Sequence, residues 1–273
     1  MCSVGGPDKT VYRNETIPQF SYVIEDKRSN AKRSLDVEHL KDSDYRKSKK
    51  AFLELMVLYH LKNPSFTIED IEDEVNTIMA GGHDTTAGTM KWIVYLLGLH
   101  PDVQDKVFDE QRSLFQDNPH RPLTYEDTCK MKYTECVIKE TLRLFPPLPV
   151  FGRIAQKDIV IGNQIIPKDS FVAFNVYSLH RNPKVFPEPE KYIPERFLPE
   201  NSSGRHPYAF LPFSAGPRNC VGQKFAMLSM KVQLSHLLRS FKVTSLDHRD
   251  QVNIMWKLTL DNVKPIRVKF TPR

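Results

Sequence analysis

Cysteine is scarce in this chain: four residues, at 2, 129, 136 and 220, with no CxxC pair and no dense framework. That excludes a disulfide-stapled module and fits reduced thiols in a cytosol-facing protein. Long apolar runs are absent as well. No stretch approaches the roughly 18 apolar residues of a membrane span. The opening MCSVGGPDKT has neither the form of a secretory signal nor that of a basic, amphipathic transit sequence. Nucleic-acid binding is a poor fit, because there is no helix-turn-helix, no RNP motif and no Lys/Arg stripe with interleaved aromatics. Internal repeats and a clear linker are also missing. What is present is 40% hydrophobic residues, too many for a disordered chain. The formal net charge of +6 comes from scattered Lys and Arg, the pattern of a solvated surface, although it permits an anionic partner or a membrane surface.

The pattern of elements is mainly α with small β-sheets. Residues 25–50 are dense in charge and read as a mobile surface lead-in with room for one short helix. AFLELMVLYHL (51–61) is an apolar helix ended by Asn63-Pro64. Thr67 to Asp70 has the form of a capping box, which predicts a long helix to Leu99, stopped at His100-Pro101. Its middle carries Gly81 and Gly82, each costing about 1 kcal/mol relative to alanine. Either a close neighbour or a bulge in the hydrogen-bond ladder accounts for them. Further helices are expected over 102–114, after Thr124, and over 131–145. DIVIGNQIIP reads as a hairpin around Gly-Asn, and FVAFNVYSLH as strand then helix. Seven prolines between 183 and 212 imply an ordered meander without regular structure. Gln223 to Phe241 is a helix with apolar spacing at Phe225, Leu228, Val232 and Leu237-Leu238, and the tail from Val252 to Phe270 is a β-ribbon.

Four short stretches carry chemistry: GGHDTT (81–86), ETLR (140–143), PERF (194–197) and FSAGPRNCVG (213–222). A lone Cys such as Cys220 is more often an inert core residue. Glu140 and Arg143 share a helix face at i and i+3, and as an exposed pair they would matter little. Asp84-Thr85 alone would be a helix-surface pair. His83 has no HxxxH or HExxH partner and is rejected as a metal ligand, and the other histidines are expected at the surface.

Taken together and in this order, the four stretches resemble the cytochrome P450 family of haem-thiolate monooxygenases. EVNTIMAGGHDTTAGTM and LHRNP (179–183) resemble its microsomal fatty-acid ω-hydroxylase branch and the insect relatives of that branch. The resemblance implies a P450 fold, C-terminal portion, from just before the long central helix to the end. It implies one partial domain over 1–273, in which 51–273 is the haem-binding half. Cys220 would be the axial thiolate ligand to iron. Phe213, Gly216 and Gly222 would shape its loop, with backbone N–H groups near Gly222 steadying the charge. Arg218 and Arg153 would pair haem propionates. Gly81 and Gly82 would leave room for dioxygen, and Asp84 and Thr85 would relay protons to it. Glu140, Arg143 and Arg196 would form a buried structural triad. Thr77, Ala80, Gly81, Thr85 and Thr89 would line the substrate, as would Val150 and Phe151, which fit core packing equally well.

The implied reaction is insertion of one oxygen atom of O2 into a lipophilic substrate. Electrons would come from NADPH through a reductase, with cytochrome b5 as a further donor. Lys224 and Lys231 are candidates for a basic docking face, or are ordinary solvated lysines. The implied location is the cytosolic face of the endoplasmic reticulum membrane, by family alone. Two departures matter. Gly81 stands where many members of that branch carry a haem-esterifying glutamate, so haem b is expected to be non-covalent, and terminal-carbon selectivity is in question. The chain is also about half the family's usual length and has no anchor. The alternative is therefore a truncated haem-binding fragment without turnover.

Overall fold

The computed structural model describes residues 24–29, 51–116, 118 and 121–273. Most of the charged lead-in expected at 1–50 therefore lies outside the described residues, as does Cys2. The chain divides into two compact units, 1–81 and 82–273, and the boundary falls inside the longest helix.

The first unit contains a helical turn at 24–29 (α1), α2 (Phe52–Lys62) and the first part of α3 (Ile68–Leu99). Ile24, Val57, Leu58, Ile71 and Val75 form its small core. The start of α3 is set by a reciprocal cap. The Thr67 amide donates to Asp70 Oδ2 at 2.7 Å, and the Asp70 amide donates to Thr67 Oγ1 at 3.1 Å. α3 then runs as unbroken α-helix through both glycines, so no bulge accounts for them.

The second unit holds the rest of α3, then α4 (Pro101–Leu114), α5 (Tyr125–Lys130) and α6 (Lys132–Leu144). Pro101 ends α3 by removing the next donor, and it also occupies the first position of α4, where no donor is needed. A second capping box, between Thr124 and Asp127, starts α5. Strand β1 (Val150–Ile154) follows, then the expected hairpin β2 (Ile159–Ile161) and β3 (Gln164–Ile166), turning at Gly162 with φ +57°. Strand β4 (Phe171–Asn175) pairs antiparallel with β1 and leads directly into the one-turn helix α7 (Val176–Leu179).

The 183–212 segment is less irregular than its prolines suggest. It contains 3-10 turns at Pro194–Phe197 and Pro207–Ala209 and the one-turn helix α8 (Pro199–Ser202). All three begin on proline, whose fixed φ suits a first helical position. Helix α9 (Gln223–Ser240) ends in strand β5 (Phe241–Ser245), the hairpin β6 (Ile254–Trp256) and β7 (Leu260–Asn262) follows, and β8 (Val268–Pro272) returns to pair with β5.

The core of this unit is built from one face of α3 (Trp92, Ile93, Leu96), from α6, and from Met230, Leu234 and Leu238 of α9. Trp92 stacks on Phe145 with centroids 4.1 Å apart. The expected apolar face of α9 holds at Leu238, which is buried, and at Leu237, which packs on the core, but not at Phe225. Phe225 is 75% exposed, and the buried row runs at i, i+4 and i+8 from Met230. Gly98 has a role in packing. A Cβ there would lie 2.5 Å from the Ser245 backbone nitrogen, so β5 can approach α3 only at glycine.

Candidate functional site

The site is built outward from α6. Arg143 and Glu140 are both fully buried, and their charges meet in a two-pronged pair: Nε to Oε2 at 2.8 Å and Nη2 to Oε1 at 2.7 Å. The remaining three N–H groups of Arg143 donate to the carbonyls of His180 (3.0 Å), Pro189 (2.7 Å) and Lys191 (3.1 Å). Glu140 Oε1 also accepts the Ile193 amide at 2.9 Å. Every donor of the guanidinium is used, which is what makes a buried charge tolerable. The third residue, Arg196, approaches Glu140 Oε1 at 3.5 Å, but its hydrogen bond goes to the Glu188 carbonyl at 2.9 Å. This pair therefore pins the 180–193 meander onto α6.

The meander delivers the chain to the cysteine loop. The Cys220 amide donates to the Phe213 carbonyl at 2.9 Å, and Asn219 to Gly216 at 3.1 Å. Ser214 at φ +61° and Gly216 at φ +81° make the tight reversals between them. Phe213 packs on the core and anchors one side. Gly222 is the N-cap of α9, and a Cβ there would stand 3.9 Å from Cys220 Sγ. Cys220 is exposed, whereas Cys136 is buried and its thiol is pushed up to about 11 by burial. Val221 beside Cys220 is 91% exposed.

Strand β1 ties this loop to the sheet. Arg153 Nη2 donates to Ser214 Oγ at 2.9 Å and to the Arg218 carbonyl at 3.2 Å. Its guanidinium lies over Phe151, which stacks on Phe174 with centroids 5.0 Å apart. Arg218 is exposed and has no ion pair among the described residues. Val150 and Phe151 are half-buried on β1. On α3, Gly82 has nothing within 4 Å of the position a Cβ would take, and the same holds for Gly81. Asp84 is exposed and meets His83 Nδ1 at 2.9 Å. Thr89 is buried, and its hydroxyl donates to the Thr85 carbonyl at 2.8 Å. Thr77 and Ala80 are exposed in the first unit, where the Thr77 hydroxyl donates to the Asp73 carbonyl.

Two sequence expectations are overturned. Lys231 is not a surface lysine: it is 8% exposed and donates to Glu135 at 2.7 Å and to the Thr128 carbonyl at 3.1 Å. Burial alone would raise Glu135, but the ammonium groups of Lys139 and Lys231 outweigh it and hold the carboxyl at about 2. Lys224 remains exposed. His180, expected at the surface with the other histidines, is fully buried between α6 and the loop leading to Cys220. Its place in LHRNP, just before the proline-laced meander, was the only sequence signal for it.

The cytochrome P450 family model matches residues 15–270. The chain belongs to the cytochrome P450 family. It is 44% identical over 228 residues to cytochrome P450 4c3 of Drosophila melanogaster, covering 84% of this chain and 43% of that protein. Against cytochrome P450 4V2 of Mus musculus it is 46% identical over 226 residues, again covering 43% of the relative. The chain thus spans less than half the length of these relatives. A crystal structure of the cytochrome P450DA haem domain superposes with a TM-score of 0.69 at 28% identity, over 76% of this chain and 45% of that one. The fold is accordingly the C-terminal portion of a P450 fold, and the P450 cofactor is a thiolate-ligated haem.

The residues present fit such a group. An exposed thiol stands in a glycine-shaped loop, flanked by exposed apolar Val221 and by an exposed guanidinium, with a second guanidinium beneath. A flat apolar ring bearing carboxylates asks for that donor set. Among the described residues no cluster of His, Cys, Asp and Glu could hold a metal ion, and no helix is long and apolar enough to cross a membrane.

Proposed function

We propose that this chain carries the haem-binding portion of a monooxygenase that inserts one oxygen atom of O2 into a lipophilic substrate, with Cys220 as the residue that would hold the iron. The observation that carries this reading is the exposed thiol of Cys220, on a residue whose backbone amide donates to the Phe213 carbonyl and which lies two positions before the N-cap of α9. When bound, the haem supplies the redox chemistry that activates dioxygen, and a thiolate donor favours O–O cleavage. The chain's own residues do the rest. The N-terminus of α9 stabilises negative charge on sulfur. Phe213, Gly216 and Gly222 keep the loop flat enough for a ring to lie against it. Arg218 and Arg153 would hold the propionates, and Arg153 also fixes the loop through Ser214. Asp84 and Thr85 hold and pass protons on the helix side. Gly81 and Gly82 present backbone without a side chain, and Gly81 offers no carboxylate for an ester, so the haem would be held without a covalent bond. Val150 and Phe151 offer apolar contact to the substrate, and Thr77 and Ala80 are separate candidates for substrate contact.

Electrons arrive from NADPH through a cytochrome reductase, with cytochrome b5 as a further donor, and Lys224 is the remaining candidate for a docking lysine. The location that goes with this reading is the cytosolic face of the endoplasmic reticulum membrane. The exposure of apolar Val221 and Phe225 favours a second reading, in which this chain holds haem without turning over.

The test is spectroscopic. The chain, and a version extended to the relatives' length, are loaded with haem, reduced and exposed to carbon monoxide. A strongly red-shifted Soret band that Cys220→Ser abolishes is the expected result, and a nitrogen-type spectrum would overturn the assignment. NADPH consumption with product separates the two readings. Thr85→Ala should keep the band and divert electrons to peroxide.

A further inference from the structure

The hydrogen bonds around Cys220 do not end at its own loop. We propose that His180 is a positioning residue whose ring registers the Cys220 loop against the buried Glu140–Arg143 pair. Its significance for catalysis rests on the reading of Cys220 as the haem ligand, but its structural role does not.

His180 is in contact with both sides at once. Its carbonyl accepts Arg143 Nη1 at 3.0 Å, and its ring Nε2 accepts the Leu211 amide at 2.8 Å. Leu211 opens the segment that closes on Cys220: its carbonyl accepts the Ser214 amide at 3.2 Å, and two residues on, the Phe213 carbonyl accepts the Cys220 amide at 2.9 Å. A continuous path therefore runs from the Glu140 carboxylate through the Arg143 guanidinium, the His180 carbonyl and ring, and the Leu211 amide to Cys220. Phe210, with its ring 5.0 Å from the imidazole, and Phe197, 4.7 Å from Phe210, hold the ring in place.

The chemistry requires a neutral imidazole. Nε2 can accept a hydrogen bond only with its lone pair free, which leaves the proton on Nδ1. Burial pushes the ring down to about 3, and the Arg143 and Arg181 guanidiniums push the same way. The backbone of Arg143 and Leu142 opposes them in part. A protonated ring would turn a donor toward the Leu211 N–H. Among the described residues no other side chain meets that amide, so losing the acceptor leaves a peptide donor stranded.

Three variants test this in the full chain without haem. His180→Phe keeps a ring against Phe210 and removes the acceptor. His180→Gln places an oxygen near the Nε2 position. His180→Asn is too short to reach Leu211 and replaces the Phe variant if that one does not fold. Residue-resolved amide exchange is the readout. In His180→Phe the Leu211 and Cys220 amides should exchange about tenfold faster, while Val137 and Leu234 in the core stay as they were. His180→Gln should bring both back to within about threefold of wild type. Unchanged exchange at Leu211 and Cys220, acceleration spread equally over the core, or failure of glutamine to restore the rate would each overturn the proposal. With haem and carbon monoxide, His180→Phe should also move part of the Soret band to shorter wavelength. A wild-type chain that binds no haem would defeat the ligand reading of Cys220, while the exchange result would still stand or fall for His180.

Discussion

Two regions of the second unit treat polarity in opposite ways. Helix α6 buries Glu140, Thr141 and Arg143 completely, and each of the five guanidinium donors of Arg143 has an acceptor. The stretch from Gly216 to Phe225 does the reverse: it exposes Val221, Phe225 and a thiol. Buried charge is stable where its bonds are complete, and exposed hydrocarbon is tolerated where the chain presents a surface to something else. On the proposed function the first region answers to the fold and the second to a ligand, so substitutions should separate stability from ligand binding along the same boundary.

The largest expected effect lies in α6. Glu140→Ala should cost about 3–5 kcal/mol, because it strands the Arg143 guanidinium, and urea unfolding should show a chain close to the limit of stability. Acid comes next. The folded ring of His180 binds protons far more weakly than the ordinary value of 6.5, so its contribution is fully present above about 6.5 and is lost as pH falls toward about 3. The loss should approach about 1.4 kcal/mol per pH unit inside that window, read as the difference between the pH–stability curves of wild type and His180→Gln. Gly98→Ala should cost about 1–3 kcal/mol, since the added carbon meets the Ser245 backbone, which cannot turn aside. Gly82→Ala should do the opposite. With open space around it, the chain should gain up to about 1 kcal/mol, measured by thermal unfolding, and if Gly82 borders the haem the same change should weaken haem binding. The smallest effect is at the exposed loop. Phe225→Ser should shift stability by less than about 0.5 kcal/mol while lowering haem retention on gel filtration, and equal losses in both would erase the distinction between the two regions.

Much of the site was legible as residue types at short spacing. ETLR read as an i, i+3 pair because helical periodicity alone brings Glu140 and Arg143 onto one face. The capping boxes at Thr67 and Thr124 and the Gly162 turn were equally visible, since each is settled within four or five residues. The misreadings share a different cause. Lys231 reads as a solvated lysine until Glu135, 96 residues earlier in the chain, is placed against it. β5 hid at the end of a helix because its partner β8 lies at the far end of the tail. Phe225 looked like core because periodicity shows a helix has an apolar face without saying which way that face turns.

The sequence by itself determined the helices with their stops, the local hairpins, the i, i+3 charge pair and the cysteine-loop motif, because each depends on backbone propensity and near neighbours. Tertiary structure alone decided that His180 is buried and neutral, that Lys231 is paired, and that Arg153 reaches from β1 to the Cys220 loop. Those outcomes depend on desolvation and on hydrogen bonds between residues far apart in the chain, and neither exists until the chain has closed on itself.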